Sequence, residues 1–119
     1  MAGDQTRSQF TLAKNVVAVA DPDEWDDSPH APSADNQWYK TWMATPEIDV
    51  SGIPAGTLFA RFHSSWRPEF DSNYHQEGYI LVSYDGAEPI EMLTWVSDPD
   101  SENYHDHNQN EIVTVPLNN

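Results

Sequence analysis

Residues 79–96 read YILVSYDGAEPIEMLTWV, and this stretch decides the fold class. Two β-rich runs, Tyr79 to Tyr84 and Ile90 to Val96, flank Asp85-Gly86-Ala87-Glu88-Pro89. An Asp-Gly step between two such runs is the strongest local hairpin signal in the chain. Pro89 lengthens the connection beyond a two-residue turn. In the second run Ile90, Met92, Thr94 and Val96 should share one face, with Glu91, Leu93 and Trp95 on the other.

The same reading extends outward. Thr57 to Ser64 alternates, with Leu58, Ala60 and Phe62 facing one way and Thr57, Phe59, Arg61 and His63 the other. Glu111 to Leu117 (EIVTVPL) reads as the last strand, with Ile112 opposed to Val113 and Val115. Asn15 to Ala20 (NVVAVA) is β-branched and bounded by Asp-Pro, so it also reads as a strand. Trp38 to Val50 reads as a strand with a break before Pro46. Ser51 to Gly56 is a turn, and Asp21 to Asn36, 66–77 and Asp98 to Asn110 are polar loops. Residues 1–14 form a flexible N-terminal segment or an edge strand, and 15–119 the β-sandwich module. No apolar stripe of period 3.6 is present, so helix content should be small. Short strands separated by turn signals predict an all-β antiparallel sandwich or jelly roll.

Composition narrows the function classes. The chain has 119 residues, enough for one domain, and no cysteine. Five Trp, five Tyr and four Phe supply apolar area that a disordered chain lacks. Twenty acidic residues stand against five basic ones, a net charge of −15. That balance opposes contact with nucleic-acid phosphates and with anionic membranes. No apolar run is long enough for a membrane span, and no signal peptide is visible. Self-repulsion of this size favours salt or bound cations, as in calcium-bearing extracellular fluid.

The acidity is concentrated. Asp21, Asp23, Glu24, Asp26 and Asp27 surround Trp25, and Asp98 and Asp100 lead a second cluster with Glu102 and Asp106. Loop carboxylates and carbonyls provide the six to eight flexible oxygen ligands that calcium takes, so Asp21, Asp23, Glu24, Asp26, Asp27, Asp98 and Asp100 are the candidate calcium ligands. The spacing is not that of an EF-hand; a solvated acidic loop, with Asp23 or Asp27 capping turns, is the alternative. His105 and His107 flank Asp106 but bring no evident third and fourth ligand for a transition metal.

Four stretches together resemble a known kind of module: FTLAKNVVAVADPDEWDD, TPEIDVSGIPAGTLFARFHSSWRPE, GYILVSYDGAEPIEML and NEIVTVPLNN. In this order they are similar to the jelly-roll modules attached to secreted, multidomain bacterial proteins, among them calcineurin-like metallophosphoesterases. The resemblance runs from Phe10 to Asn119, and Asp21 to Asp27 and Ser64 to Glu69 are its most specific parts. Members continue past the LNN position with another strand and a WAIDN segment. The resemblance thus implies a jelly-roll-like β-sandwich, complete or short of its C-terminal strand, and an accessory module rather than the catalytic domain.

Trp25, Trp66, Arg67, Glu69, Tyr74 and Tyr104 are the candidate ligand-binding residues: loop aromatics stack on sugar rings, and Arg and Glu bond hydroxyls. Against this, Trp66 has the alternative of packing beneath the loop and Arg67 that of a structural ion pair. There is no G-x-S-x-G elbow and no cysteine nucleophile, so no catalytic residue is assigned. The expected function is a non-catalytic, calcium-stabilised extracellular module. Its expected partners are carbohydrate or a surface polymer and other domains of its parent protein, without nucleic acid or membrane insertion. A structural spacer domain and a fragment of a secreted metallophosphoesterase are the alternatives.

Overall fold

The computed structural model describes residues 7–20, 39–70 and 74–119. Within them the regular structure is a 3-10 turn at Arg7–Gln9 and four strands: β1 (Phe59–Trp66), β2 (Glu77–Val82), β3 (Ile90–Val96) and β4 (Asn108–Pro116). They form two antiparallel pairs, β1 with β4 and β2 with β3. The chain is therefore all-β in its described residues, as the alternation and turn signals predict.

The β2–β3 hairpin closes where the sequence places it. Asp85 and Gly86 have φ of 52° and 73°, and the Ala87 amide donates to the Tyr84 carbonyl at 2.9 Å. Positive φ at both central positions defines a type I′ turn, whose twist matches that of the flanking strands. Ser83 then donates its hydroxyl to the Ala87 carbonyl at 2.6 Å, tightening the loop that Pro89 extends.

One feature of this hairpin departs from strict alternation. Ile80 pairs with Leu93, but Leu81 pairs with Glu91, so Met92 is an extra residue. The bulge turns Glu91 onto the exposed face of Leu81, while Leu93 stays opposite half-buried Ile80. Glu91 and Leu93 thus do not share a face, contrary to the alternation read from the sequence. The Thr94 hydroxyl consequently reaches Glu91 three residues back, a bond that an unbroken strand would place on opposite faces.

In the other pair the expected facing is observed. Ala60 and Phe62 point inward opposite Val115 and Val113, while Phe59, Arg61 and His63 are exposed. The strand begins two residues later than the pattern suggests, because Thr57 is spent on a turn: its amide and hydroxyl both donate to the Pro54 carbonyl, at 3.2 and 2.6 Å. Asn119 fastens the same turn, accepting the Leu58 amide at 3.0 Å and donating to the Pro54 carbonyl at 3.2 Å.

Two expected strands are absent. Residues 15–20 and 39–50 carry no strand structure. Val16 is 92% exposed and Trp42 82%. A β-branched or aromatic run becomes a strand only when a neighbouring strand covers one of its faces. Asn15, at φ 62°, also breaks the chain direction ahead of the valines, and the Asp49 side chain accepts the Ser51 amide at 2.8 Å in a local turn. The N-terminal segment is pinned by Asn110, which accepts from the Thr11 hydroxyl and Leu12 amide at 3.0 and 3.2 Å and donates to the Gln9 carbonyl at 2.9 Å.

The buried side chains among the described residues are Val96, Val113, Val115 and Ser97. With so few, each valine carries much of the core. Val115→Ala should cost about 2 kcal/mol in a denaturant melt. Ile112→Ala, on the exposed face of the same strand, should cost well under half of that.

Candidate functional site

The two strand pairs meet through aromatic rings. Trp66 at the end of β1 packs edge-on against Trp95 of β3 with centroids 5.6 Å apart, and Phe62 lies 6.4 Å from Trp95. Gly78 of β2 makes this approach possible, since a Cβ there would lie 3.3 Å from the Trp66 ring. The rings, with Gly78, Ile80 and Leu93, line an apolar cleft of about 180 Å3.

The loop after β3 closes over this cluster. The Trp66 indole N–H donates to the His105 carbonyl at 3.0 Å, which satisfies its only polar atom. The His105 imidazole stacks flat on Trp95, 3.9 Å between centroids and 5° between planes. Its Nε2 lies 2.8 Å from a Glu111 carboxylate oxygen on β4. His105 thereby ties β1, β3 and β4 together. In the His-Asp-His sequence the His105 ring is turned to Trp95 and Glu111, and the His107 amide donates to Asp106 at 2.7 Å.

A buried serine joins the two loops that carry candidate ligand residues. Ser97, 2% exposed, donates its hydroxyl to the Glu69 carbonyl at 2.6 Å and accepts the Gln76 amide at 2.7 Å. Its own amide donates to the Gln76 carbonyl at 2.9 Å. Beyond it, Val96 exchanges backbone bonds with the chain at Asn103 and His105, at 2.9 and 3.0 Å. The chain at Glu69 and Gln76 and the loop 98–107 are therefore held together beside the end of β3. Phe70, Tyr74 and Tyr104 are exposed there, at 47%, 60% and 42%.

The sequence-predicted residues fall into distinct places. Trp66 is half-buried in the aromatic cluster. Arg67 and Glu69 are exposed at the loop end, where the Glu69 amide donates to Gln76 Oε1 at 3.2 Å. Tyr104 donates to Asp106 at 3.2 Å; partial burial and that bond raise its phenol above the usual range. Asp98 accepts the Asp100 amide at 2.9 Å and so folds its own turn. Among the described residues, no three His, Asp or Glu side chains converge as a metal site. Asp21, Asp23, Glu24, Trp25, Asp26 and Asp27 lie outside the described residues.

Three features were not anticipated: the Ser97 knot, the His105–Glu111 pair, and a network on the outer face of β2. There Tyr79 donates its hydroxyl to Glu77, and the His75 imidazole lies 2.7 Å from the same carboxylate. The Tyr79 bond, and then His75, hold the Glu77 carboxyl below its usual range. The bond to Glu77, partial burial and the charges of Glu77 and Glu91 push the Tyr79 phenol up to about 12. Glu77 and Tyr79 are two apart on a strand and so share a face, a signal the period of two carries. Nothing in the sequence marks Ser97.

No protein-family model, curated protein or solved structure matches the chain.

Ser97→Ala leaves the Gln76 amide and the Glu69 carbonyl without their partner. A loss of about 1–3 kcal/mol is expected, with faster hydrogen exchange at Gln76. Unchanged exchange would show that the two loops are held by other contacts. Glu77 gives a pH test. Its folded pKa is depressed, so its contribution is present above the unfolded value of 4.5 and is lost as pH falls through the folded value. Glu77→Gln should flatten the acid limb of stability against pH, modestly because the side chain is 37% exposed.

Proposed function

We propose that this chain is a non-catalytic binding module of an extracellular protein. Its antiparallel strand pairs belong to a jelly-roll-like sandwich, and its ligand is carbohydrate or a related hydroxyl-rich surface polymer. The observation that carries the reading is the Ser97 knot. With the neighbouring Val96 bonds to Asn103 and His105, it holds the chain near Tyr74 and the Tyr104 loop at one end of the β framework, where both rings are exposed. Aromatic rings on a fixed loop end offer flat apolar faces to pyranose rings. The carboxylates of Glu69 and Asp106 and the Arg67 guanidinium offer partners for hydroxyls. Holding the loops in advance lowers the ordering cost of binding.

Calcium fits the same reading as a stabiliser. The acidic segment 21–27, with Asp98 and Asp100, supplies hard oxygen donors, and a bound dication would relieve repulsion in a chain of net charge −15. The resemblance to modules of secreted bacterial proteins agrees with an extracellular setting. No helix among the described residues is long and apolar enough to cross a membrane.

The reading is tested in two parts. Affinity electrophoresis through a panel of soluble polysaccharides should retard the chain in at least one gel, and Tyr74→Ala with Tyr104→Ala should abolish that retardation. A double variant that migrates as the parent would remove the loop end from consideration. Separately, a thermal melt at low ionic strength should shift upward by several degrees with calcium and return with chelator. Equal shifts from sodium and magnesium would reduce the calcium term to charge screening.

A further inference from the structure

The outer face of the β2–β3 hairpin is set apart from the loop end by its chemistry. Between Glu77 and Val96 the sequence carries four carboxylates, Glu77, Asp85, Glu88 and Glu91, and no Lys or Arg. Register and bulge place Glu77, Tyr79 and Leu81 of β2 beside Glu91 and Thr94 of β3 on this face. Tyr79 is 48% exposed and Leu81 56%. An aromatic ring and a leucine thus lie open to solvent, bracketed by two carboxylates.

Both carboxylates are oriented by hydrogen bonds. Glu77 accepts the Tyr79 hydroxyl and contacts His75, and Glu91 accepts the Thr94 hydroxyl. Among the described residues no Lys or Arg is paired with either. The two carboxylates act on one ring, since both charges bear on the Tyr79 phenol. An aromatic face flanked by carboxylates is the arrangement that holds an ammonium or guanidinium group. Guanidinium fits better, because its plane stacks on a ring while its edge presents paired donors to a carboxylate.

The setting also selects the form of the partner. β2 is hydrogen-bonded on one side only, to β3, among the described strands. On its other edge no described strand is paired, and a strand added there would meet main-chain donors and acceptors. Tyr79 and Leu81 are two residues apart, so a strand running alongside meets them at alternate positions of its own.

We propose that this face docks an extended, arginine-bearing segment of a partner protein. One guanidinium stacks on Tyr79 between Glu77 and Glu91, and an apolar side chain two residues along covers Leu81. The excess of twenty acidic over five basic residues in the whole chain draws a basic segment in, and the face gives it register.

An acetylated heptapeptide of alternating arginine and valine, titrated into the 15N-labelled full chain at physiological salt, tests this. Saturable amide shifts confined to β2 and its neighbours are expected. Tyr79→Leu and Glu91→Gln, both at exposed positions, should each weaken binding several-fold and together by about tenfold or more. Circular dichroism would confirm that both variants keep the parent fold. A matched glutamine–valine peptide should bind far more weakly. Equal binding of that peptide would mean strand pairing without cation recognition and would overturn the proposal. Undiminished binding of the arginine peptide to the double variant would mean diffuse attraction to net charge, and absence of binding would remove the site; either overturns it as well.

Discussion

The contact of Trp66 with Trp95 is the constraint on which the rest of this structure depends. A two-stranded antiparallel pair is marginal in water by itself, because one of its faces has nothing to pack against. Here two such pairs cover each other, and the indole rings from β1 and β3 are the joint. The joint has local requirements that propagate outward. Gly78 gives Trp66 room over β2, where a Cβ would sit 3.3 Å from its ring. The indole N–H must find an acceptor, and the His105 carbonyl supplies it, which draws the 98–107 loop over the strand ends. Once the loop is there, the His105 ring can cover Trp95 and meet Glu111. The loop position then carries Tyr104 and Asp106 to the end of β3 where Ser97 fastens Glu69 and Gln76.

Much of this fold was legible because its signals are local. Asp85-Gly86 needs two positive φ angles, and few residue pairs meet that need, so the hairpin could be read directly. The alternation at Leu58–His63 and at Ile112–Val115 reports burial on one face, and the observed exposure follows it. The failures have a common cause. Val16 to Val19 and Val113 to Val115 are alike in composition, yet only the second run is a strand, since β1 lies beside it. Whether a run finds a partner is a property of the whole chain. The bulge at Ile80/Leu81 is equally non-local, since it exists only in the pairing of two strands. The candidate site divides in the same way. Glu77 and Tyr79 share a face by simple period, whereas Ser97 is defined only by the three backbone groups it meets after folding.

The electrostatics follow from where the carboxylates find donors. Asp49, Asp98 and Asp106 each accept a backbone amide within two residues, at 2.8, 2.9 and 2.7 Å. Glu77 and Glu91 accept neutral hydroxyls, and Glu77 and Glu111 each meet a histidine. Bonds from amides and hydroxyls orient a carboxylate and lower its cost of partial burial without bringing a countercharge. At these described carboxylates, local hydrogen bonding takes the place that lysine and arginine fill in a chain of balanced composition.

That substitution decides how the protein meets its surroundings. A field from unpaired surface carboxylates is long-ranged at low salt and decays over about 8 Å at physiological ionic strength. Over such a distance it attracts cations without choosing among them. Choice requires contact, and contact requires that the carboxylates be held still beside something else a ligand can touch. At the loop end the fixed groups stand beside exposed tyrosines; on the hairpin they stand beside Tyr79 and Leu81. The same bonds that keep these carboxylates in place without neutralising them are what separate a binding face from a merely acidic one.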